Sequence, residues 1–74
     1  MPFEISITEK TPHINKTIAE INFWHNTTAT IIGIKRDNKL LMSPGPYSTL
    51  KNKDILYFVG DENCISRVQA FLYP

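Results

Sequence analysis

The sequence predicts a small α+β domain of order β-α-β-β-β-α with a mostly antiparallel sheet, on three observations. Residues 3–7 alternate apolar and polar side chains, which is the period of a strand with one face in water. Two apolar runs, at residues 29–35 and 55–59, have the length of buried strands. Residues 18–24 and the segment after Gly60 carry apolar residues at helical spacing.

The first helix is predicted at residues 18–24. Thr17 and Glu20 match a capping box, in which the Thr side chain caps the first turn and the Glu side chain bonds back to the Thr backbone. The polar residues 25–28 are expected to form a turn that ends this helix.

The run at residues 29–35 is predicted to be the central strand. Its residues alternate between two predicted faces, Thr30, Ile32 and Ile34 on one and Ala29, Ile31 and Gly33 on the other. Because both faces lack charge, we expect the strand to be covered on both sides. Asp37 and Asn38 both tolerate positive φ, so they predict a two-residue hairpin turn before a returning strand at residues 39–42.

The second half of the chain is predicted to be a loop, a strand and a helix. Residues 43–53 form a long loop that Pro44 and Pro46 stiffen, and residues 55–59 form the next strand. Asp61 is the predicted N-cap of the last helix. That helix would present an apolar face made by Ile65, Val68, Phe71 and Leu72.

The small size of the chain predicts a partner. A chain of 74 residues buries only about 60% of the surface that it exposes when unfolded. The single cysteine, Cys64, cannot form an internal disulfide, and the sequence has no CxxC or HxxxH cluster for a metal. A second copy is therefore the expected source of stability. We expect the dimer interface to use the capped helix and the strand at residues 29–35.

Charge argues against a nucleic-acid-binding surface. Eight Lys and Arg residues against seven Asp and Glu residues leave a net charge of +1. Lys35, Arg36 and Lys39 cluster near the aromatic residues Trp24 and Tyr47, a combination that could hold bases. Without a wider basic surface the phosphate contribution to binding is small, so we interpret the cluster as a solvated turn.

No catalytic or membrane function is predicted. His13 and His25 lie in polar segments, and Cys64 has the position of a small core residue rather than of a nucleophile. No basic segment precedes a long apolar core at the N-terminus, and no apolar run approaches the roughly 20 residues that span a bilayer. A cytoplasmic location suits the lone thiol best.

The order of motifs between residues 16 and 62 resembles the C-terminal regulatory domain of RCK potassium-transport proteins, the TrkA-C domain. The resemblance is carried by four stretches: the capped helix "TIAEI" at residues 17–21, the strand "IIGIKR" at 31–36, the hairpin and Pro loop "LMSPGP" at 41–46, and "LKNKDILYFVG" at 50–60. Each is weak alone, and the ordered series is specific. Lys16 and Lys53 stand where the family usually has Gly.

The resemblance implies a two-fold homodimer whose cleft, in a subset of the family, binds one cyclic di-AMP. Transferred by position, the ligand-binding residues are Ile18, Ala19, Phe23, Trp24, Asn26, Thr30 and Pro46. Apolar side chains would sandwich the adenine rings, and Asn26 and Thr30 would read the base edges. Trp24 stands where several nucleotide-binding members have Arg, so it could stack on adenine or simply fill the cleft. No cofactor is implied.

The resemblance also implies that residues 1–74 belong to a longer regulator. Domains of this family are attached to RCK N-domains, to antiporter membrane domains or to helix-turn-helix DNA-binding modules. Two functions stay open. The first is a ligand-sensing dimeric domain of a bacterial potassium or cation transport system. The second is a plain dimerisation domain of a transporter or of a helix-turn-helix regulator, with no small-molecule ligand.

Overall fold

A computed structural model describes residues 2–74 and has the predicted order of elements. One four-stranded antiparallel sheet of strand order β1-β4-β2-β3 packs against two helices. The elements are β1 (Phe3–Ser6), α1 (Phe23–Thr27), β2 (Thr30–Arg36), β3 (Lys39–Met42), β4 (Ile55–Val59) and α2 (Cys64–Leu72). The α+β class and the antiparallel sheet are therefore confirmed.

The core lies between the sheet and the two helices. Ile34, Leu56 and Phe58 come from the sheet, and Val68 and Leu72 from α2, all at most 1% exposed. An edge-on contact between the rings of Phe23 and Phe71, with centroids 6.1 Å apart, joins α1 to α2. No helix in residues 2–74 has the length and apolar character needed to cross a membrane.

The first helix lies five residues later than predicted. The capping box forms, but only one turn follows it, because Asn22 adopts the left-handed conformation with φ 51°. Asn tolerates this conformation better than most residues, and a left-handed residue interrupts the helical ladder. The helix α1 then begins at Phe23 and includes residues 25–27, which were expected to form a turn.

A β-bulge makes the prediction for the two faces of β2 wrong. Ile31 pairs with Phe58 and Gly33 with Tyr57, so Ile32 is an extra residue. The insertion resets the alternation, and Ile31 and Ile34 both face the core. On the outer side, Gly33 lies next to the side chains of Leu40 and Met42, which are themselves more than half exposed.

The hairpin follows the prediction, and the last helix follows it with two corrections at its N-terminal end. Asp37 and Asn38 adopt φ values of 52° and 63°, as the two-residue turn requires. The N-cap of α2 is Asn63, and Asp61 instead accepts the Asn63 N–H at 2.9 Å, forming a turn before the helix. Ile65 is 39% exposed and does not belong to the core face.

Candidate functional site

Two adjoining hollows lie between α1, the start of β2 and the proline loop. Their volumes are about 240 Å³ and 290 Å³. Four residues line both: Ile18, Phe23, Trp24 and Pro46. Thr30 lines the first hollow and Ala19 the second, so six of the seven predicted ligand-binding residues meet at one place. We call the two hollows together the cleft.

The walls of the cleft are aromatic and aliphatic side chains of unequal exposure. Phe23 is only 2% exposed and forms part of the floor, whereas Trp24 is 65% exposed and projects beside it. Ile18 is half-buried, and Pro46 is exposed on the opposite wall. A flat ring could therefore enter between Trp24 and Pro46 and rest on apolar surface.

One wall of the cleft is held by a backbone ladder between residues 15–19 and 46–50. The Ala19 N–H donates to the Pro46 carbonyl at 2.8 Å, and the Ile18 N–H donates to the Ser48 carbonyl at 3.0 Å. The Leu50 N–H donates to the Lys16 carbonyl at 3.0 Å. The turn that follows the capping box is thereby fixed against the proline loop, which places Ile18 opposite Pro46.

Below this ladder, Arg36 and Asp54 form a bidentate ion pair. Arg36 Nε lies 2.9 Å from Asp54 Oδ1, and Arg36 Nη2 lies 2.8 Å from Asp54 Oδ2. The same Nη2 donates to the Thr49 carbonyl at 2.9 Å, and Asp54 Oδ2 accepts the Lys51 N–H at 2.9 Å. Hydrogen bonding to Asp54 raises the pKa of Arg36 above its ordinary value.

Asn26 is the predicted site residue that does not line the cleft. It lies in α1, where its Nδ2 donates to the carbonyls of Ile21 and Asn22, each at 3.1 Å. These bonds tie the helix to the turn that precedes it, across the left-handed residue. Only Oδ1 of Asn26 is then left to accept a bond from a ligand.

The sequence interpretation missed part of the lining. Pro44, Asn22 and His25 also border the cleft. The Pro-Gly-Pro stretch was a usable signal for Pro44, because two prolines flanking one glycine hold both ends of a loop rigid. Of the described residues that line the cleft, His25 is the one with a titratable side chain.

Two residues considered for catalysis, Cys64 and His13, pack against other residues of the chain. Cys64 is fully buried in the core, as predicted. The His13 ring stacks on Phe71 with centroids 4.2 Å apart, and its Nε2 lies 3.2 Å from the Phe71 carbonyl oxygen. Within residues 2–74, no three His, Cys, Asp or Glu side chains come together as a metal-binding group.

A larger groove at the other side of the molecule contains none of the predicted site residues. It has a volume of about 710 Å³ and lies between β1 and α2. The Tyr73 hydroxyl there donates to the Ser6 carbonyl and accepts the Thr8 N–H at 3.0 Å. The Tyr73 hydroxyl, the Ser6 carbonyl and the Thr8 N–H thus bond to one another and are not free for a ligand. The cleft is therefore the stronger candidate for a ligand.

Solved structures support the same fold. The chain superposes with a TM-score of 0.89 on the RCK_C domain dimer of S. agalactiae BusR in complex with c-di-AMP, at 41% identity over 95% of this chain and 92% of that one. It superposes with a TM-score of 0.82 on the RCK C domain of the potassium transport protein KtrA in complex with c-di-AMP. There the identity is 29%, over 93% of this chain and 79% of that one.

Curated relatives are longer proteins. The ammonium/H(+) antiporter subunit AmhM of Alkalihalophilus pseudofirmus is 29% identical over 65 residues, which are 88% of this chain and 39% of that protein. The uncharacterized protein MG323 of Mycoplasma genitalium is 36% identical over 61 residues, 81% of this chain and 27% of that protein. The chain thus spans about a third of each relative. The model of the TrkA-C domain matches residues 3–73, and the chain therefore belongs to the TrkA-C domain family.

Proposed function

We propose that the chain is a dimeric, ligand-sensing regulatory domain of a bacterial cation transport system, and that it binds cyclic di-AMP in the cleft. The observation that carries the proposal is the meeting of six transferred residues around one apolar cleft with an exposed tryptophan. Aromatic stacking and apolar burial supply affinity for a purine, and a few placed polar groups supply orientation.

The relatives support the choice of ligand. Both the BusR domain, at 41% identity, and the KtrA domain, at 29%, are described in complex with c-di-AMP. AmhM, a subunit of an ammonium/H(+) antiporter, supports a role in cation transport. Its longer chain also agrees with the prediction that residues 1–74 form part of a larger regulator.

A second copy would complete the site, because the cleft is open to solvent on a single chain. Five large apolar side chains are between 51% and 84% exposed and lie between residues 24 and 47: Trp24, Leu40, Leu41, Met42 and Tyr47. Isolated apolar side chains on a surface are ordinary, but Leu40 and Met42 lie together beside Gly33, and a contiguous apolar patch marks an interaction surface. The dimer described for BusR supports a second copy of this chain as the occupant.

Within the cleft each side chain has a distinct role in the proposal. Trp24 and Pro46 hold one adenine between them, and Ile18 adds apolar surface beside it. The Thr30 hydroxyl accepts a hydrogen bond from the base edge, which favours adenine over a base without a donor there. Asn26 does not line the cleft on a single chain, and it acts on the cleft by holding α1 to the preceding turn. We assign no catalytic step to any residue, and the cytoplasmic location stays a prediction.

Calorimetry with cyclic di-AMP, cyclic di-GMP and AMP tests the proposal. We expect micromolar binding of cyclic di-AMP at one ligand per two chains, with a change in the fluorescence of Trp24, the single Trp of the chain. Trp24→Ala should abolish most of the binding. Ile65→Ala is the control, because Ile65 lies on exposed surface of α2, does not line the cleft and is not among the five residues of the proposed interaction surface.

The alternative is a dimerisation domain without a ligand, which the position of Trp24 favours. Trp24 borders both hollows and could fill the cleft by itself. In that case the native chain binds none of the three nucleotides, and Trp24→Arg creates binding of cyclic di-AMP. If neither the native chain nor Trp24→Arg binds a cyclic dinucleotide, the ligand proposal is overturned.

A further inference from the structure

We propose that Arg36 is a positioning residue that fixes the width of the cleft, although it lines neither hollow; its effect on ligand binding rests on the proposed function. Arg36 is the last residue of β2, whose other end carries the cleft residue Thr30. Its guanidinium extends from the sheet to the loop that contains Pro46. It therefore connects a rigid element to a wall that has no helix or strand of its own.

The guanidinium bonds two partners that no other described side chain joins. Its Nε and Nη2 hold both oxygens of Asp54 at 2.9 Å and 2.8 Å, and Nη2 also holds the Thr49 carbonyl at 2.9 Å. Asp54 is fully buried and precedes β4, so it is fixed by the core. The planar guanidinium of Arg36 therefore holds the backbone of Thr49 at a fixed position relative to the sheet.

Thr49 is in turn bonded through the backbone to the residues that form the wall of the cleft. Thr49 pairs with Thr17 in an isolated antiparallel bridge, and the neighbouring residues continue the ladder on both sides. The carbonyls of Ser48 and Pro46 accept the N–H groups of Ile18 and Ala19. Leu50 is fixed by the core, so when Thr49 loses its anchor it is the part of the ladder nearer to Pro46 that becomes freer to shift relative to the floor of the cleft.

Arg36→Lys is the informative substitution. Lys keeps the positive charge beside the buried Asp54, so the protein does not have to bury an unpaired carboxylate. A single ammonium does not reproduce the planar fork that holds both Asp54 oxygens and the Thr49 carbonyl. Val68→Ala is the matched control, since Val68 is fully buried on α2 and its loss weakens the core without touching the ladder.

Two measurements are made on both variants, amide hydrogen exchange by NMR and the Kd for cyclic di-AMP. In Arg36→Lys we expect exchange at the Ile18, Ala19 and Leu50 amides to rise about tenfold relative to the β2 and β4 amides, and Kd to rise about tenfold. In Val68→Ala we expect exchange to rise at the core amides that exchange through global unfolding, without a selective rise at these three amides, and Kd to be unchanged at temperatures well below unfolding.

The proposal is overturned if exchange at these three amides is native in Arg36→Lys, or if Val68→Ala accelerates them selectively. It is also overturned if the ladder loosens in Arg36→Lys and Kd does not change. Should the native chain bind no cyclic di-AMP, the proposed function fails by itself. The exchange pattern then decides whether Arg36 positions the wall.

Discussion

Thr17 and Glu20 bond to each other's backbone N–H groups, although only a single turn follows them. Thr17 Oγ1 accepts the Glu20 N–H at 3.1 Å, and Glu20 Oε1 accepts the Thr17 N–H at 3.0 Å. The pair closes the turn that carries Ile18 and Ala19 into the cleft. Its hydrogen bonds, led by the one from the Thr17 backbone, lower the pKa of Glu20 below its ordinary value.

The first prediction concerns the stability of the protein at low pH. Because the pKa of Glu20 is lower in the folded chain than in the unfolded chain, its contribution to stability is present at neutral pH. That contribution disappears as the pH falls from about 4.3, the unfolded value, through the folded value. In urea unfolding, the native chain should be more stable than Glu20→Gln at pH 7, and the difference should vanish in acid. A difference that stays constant with pH would contradict this.

The second prediction compares two glycines, Gly60, where an added methyl group would be crowded, and Gly45, where it would have open space. A Cβ on Gly60 would lie 2.8 Å from Cys64 Cβ and 2.9 Å from Cys64 Sγ, whereas a Cβ on Gly45 meets nothing within 4 Å. Gly60→Ala should lower the free energy of unfolding by about 1–3 kcal/mol. Gly45→Ala should leave it within about 0.5 kcal/mol or raise it slightly. Equal denaturation midpoints for the two variants would refute the close packing at Gly60.

The third prediction concerns the contribution of Asn26 to stability. Asn26→Ala removes two hydrogen bonds that bridge the turn and α1, so it should lower the free energy of unfolding by about 1–3 kcal/mol. Asn63→Ala is the control, because the Asn63 side chain makes no capping bond at α2, and it should change stability by less than about 0.5 kcal/mol. An Asn26→Ala chain that is as stable as the control would show that these bonds contribute little.

The fourth prediction locates the surface of the dimer. Met42 is 59% exposed on the edge strand β3, so Met42→Asp should leave the monomer folded. A charge buried without a partner costs about 3–5 kcal/mol, enough to dissociate the pair at micromolar concentration. Ile65→Asp, on exposed α2 surface, should not affect the dimer. Sedimentation velocity distinguishes the two, and a Met42→Asp chain that still sediments as a dimer would place the interface elsewhere.

The strands and the hairpin could be predicted because each depends on local information. Alternation fixes β1, and the positive φ that Asp37 and Asn38 accept fixes the turn after β2. The bulge at Ile32 could not be predicted, because Ile31, Ile32 and Ile34 are all apolar and either alternation fits the pattern.

The start of α1 and the ion pair of Arg36 and Asp54 depend on information that the local apolar pattern does not carry. The capping box predicted a helix correctly in kind, but the left-handed Asn22 and the amide of Asn26 moved it. The ion pair of Arg36 and Asp54 could not be predicted, since nothing in the local pattern links two residues 18 positions apart. Six of the seven site residues line the cleft because motif order preserves their places in the fold.

The scarcity of charge around the cleft has a consequence for the salt dependence of ligand binding. No Lys or Arg from residues 2–74 lines it, so binding there draws on stacking and neutral hydrogen bonds. Salt screens charge pairs and leaves stacking nearly untouched. At a basic site, the affinity for an anionic ligand would fall as the salt concentration rises. Under the proposed function, an uncharged cleft would keep the affinity for cyclic di-AMP nearly independent of the salt concentration.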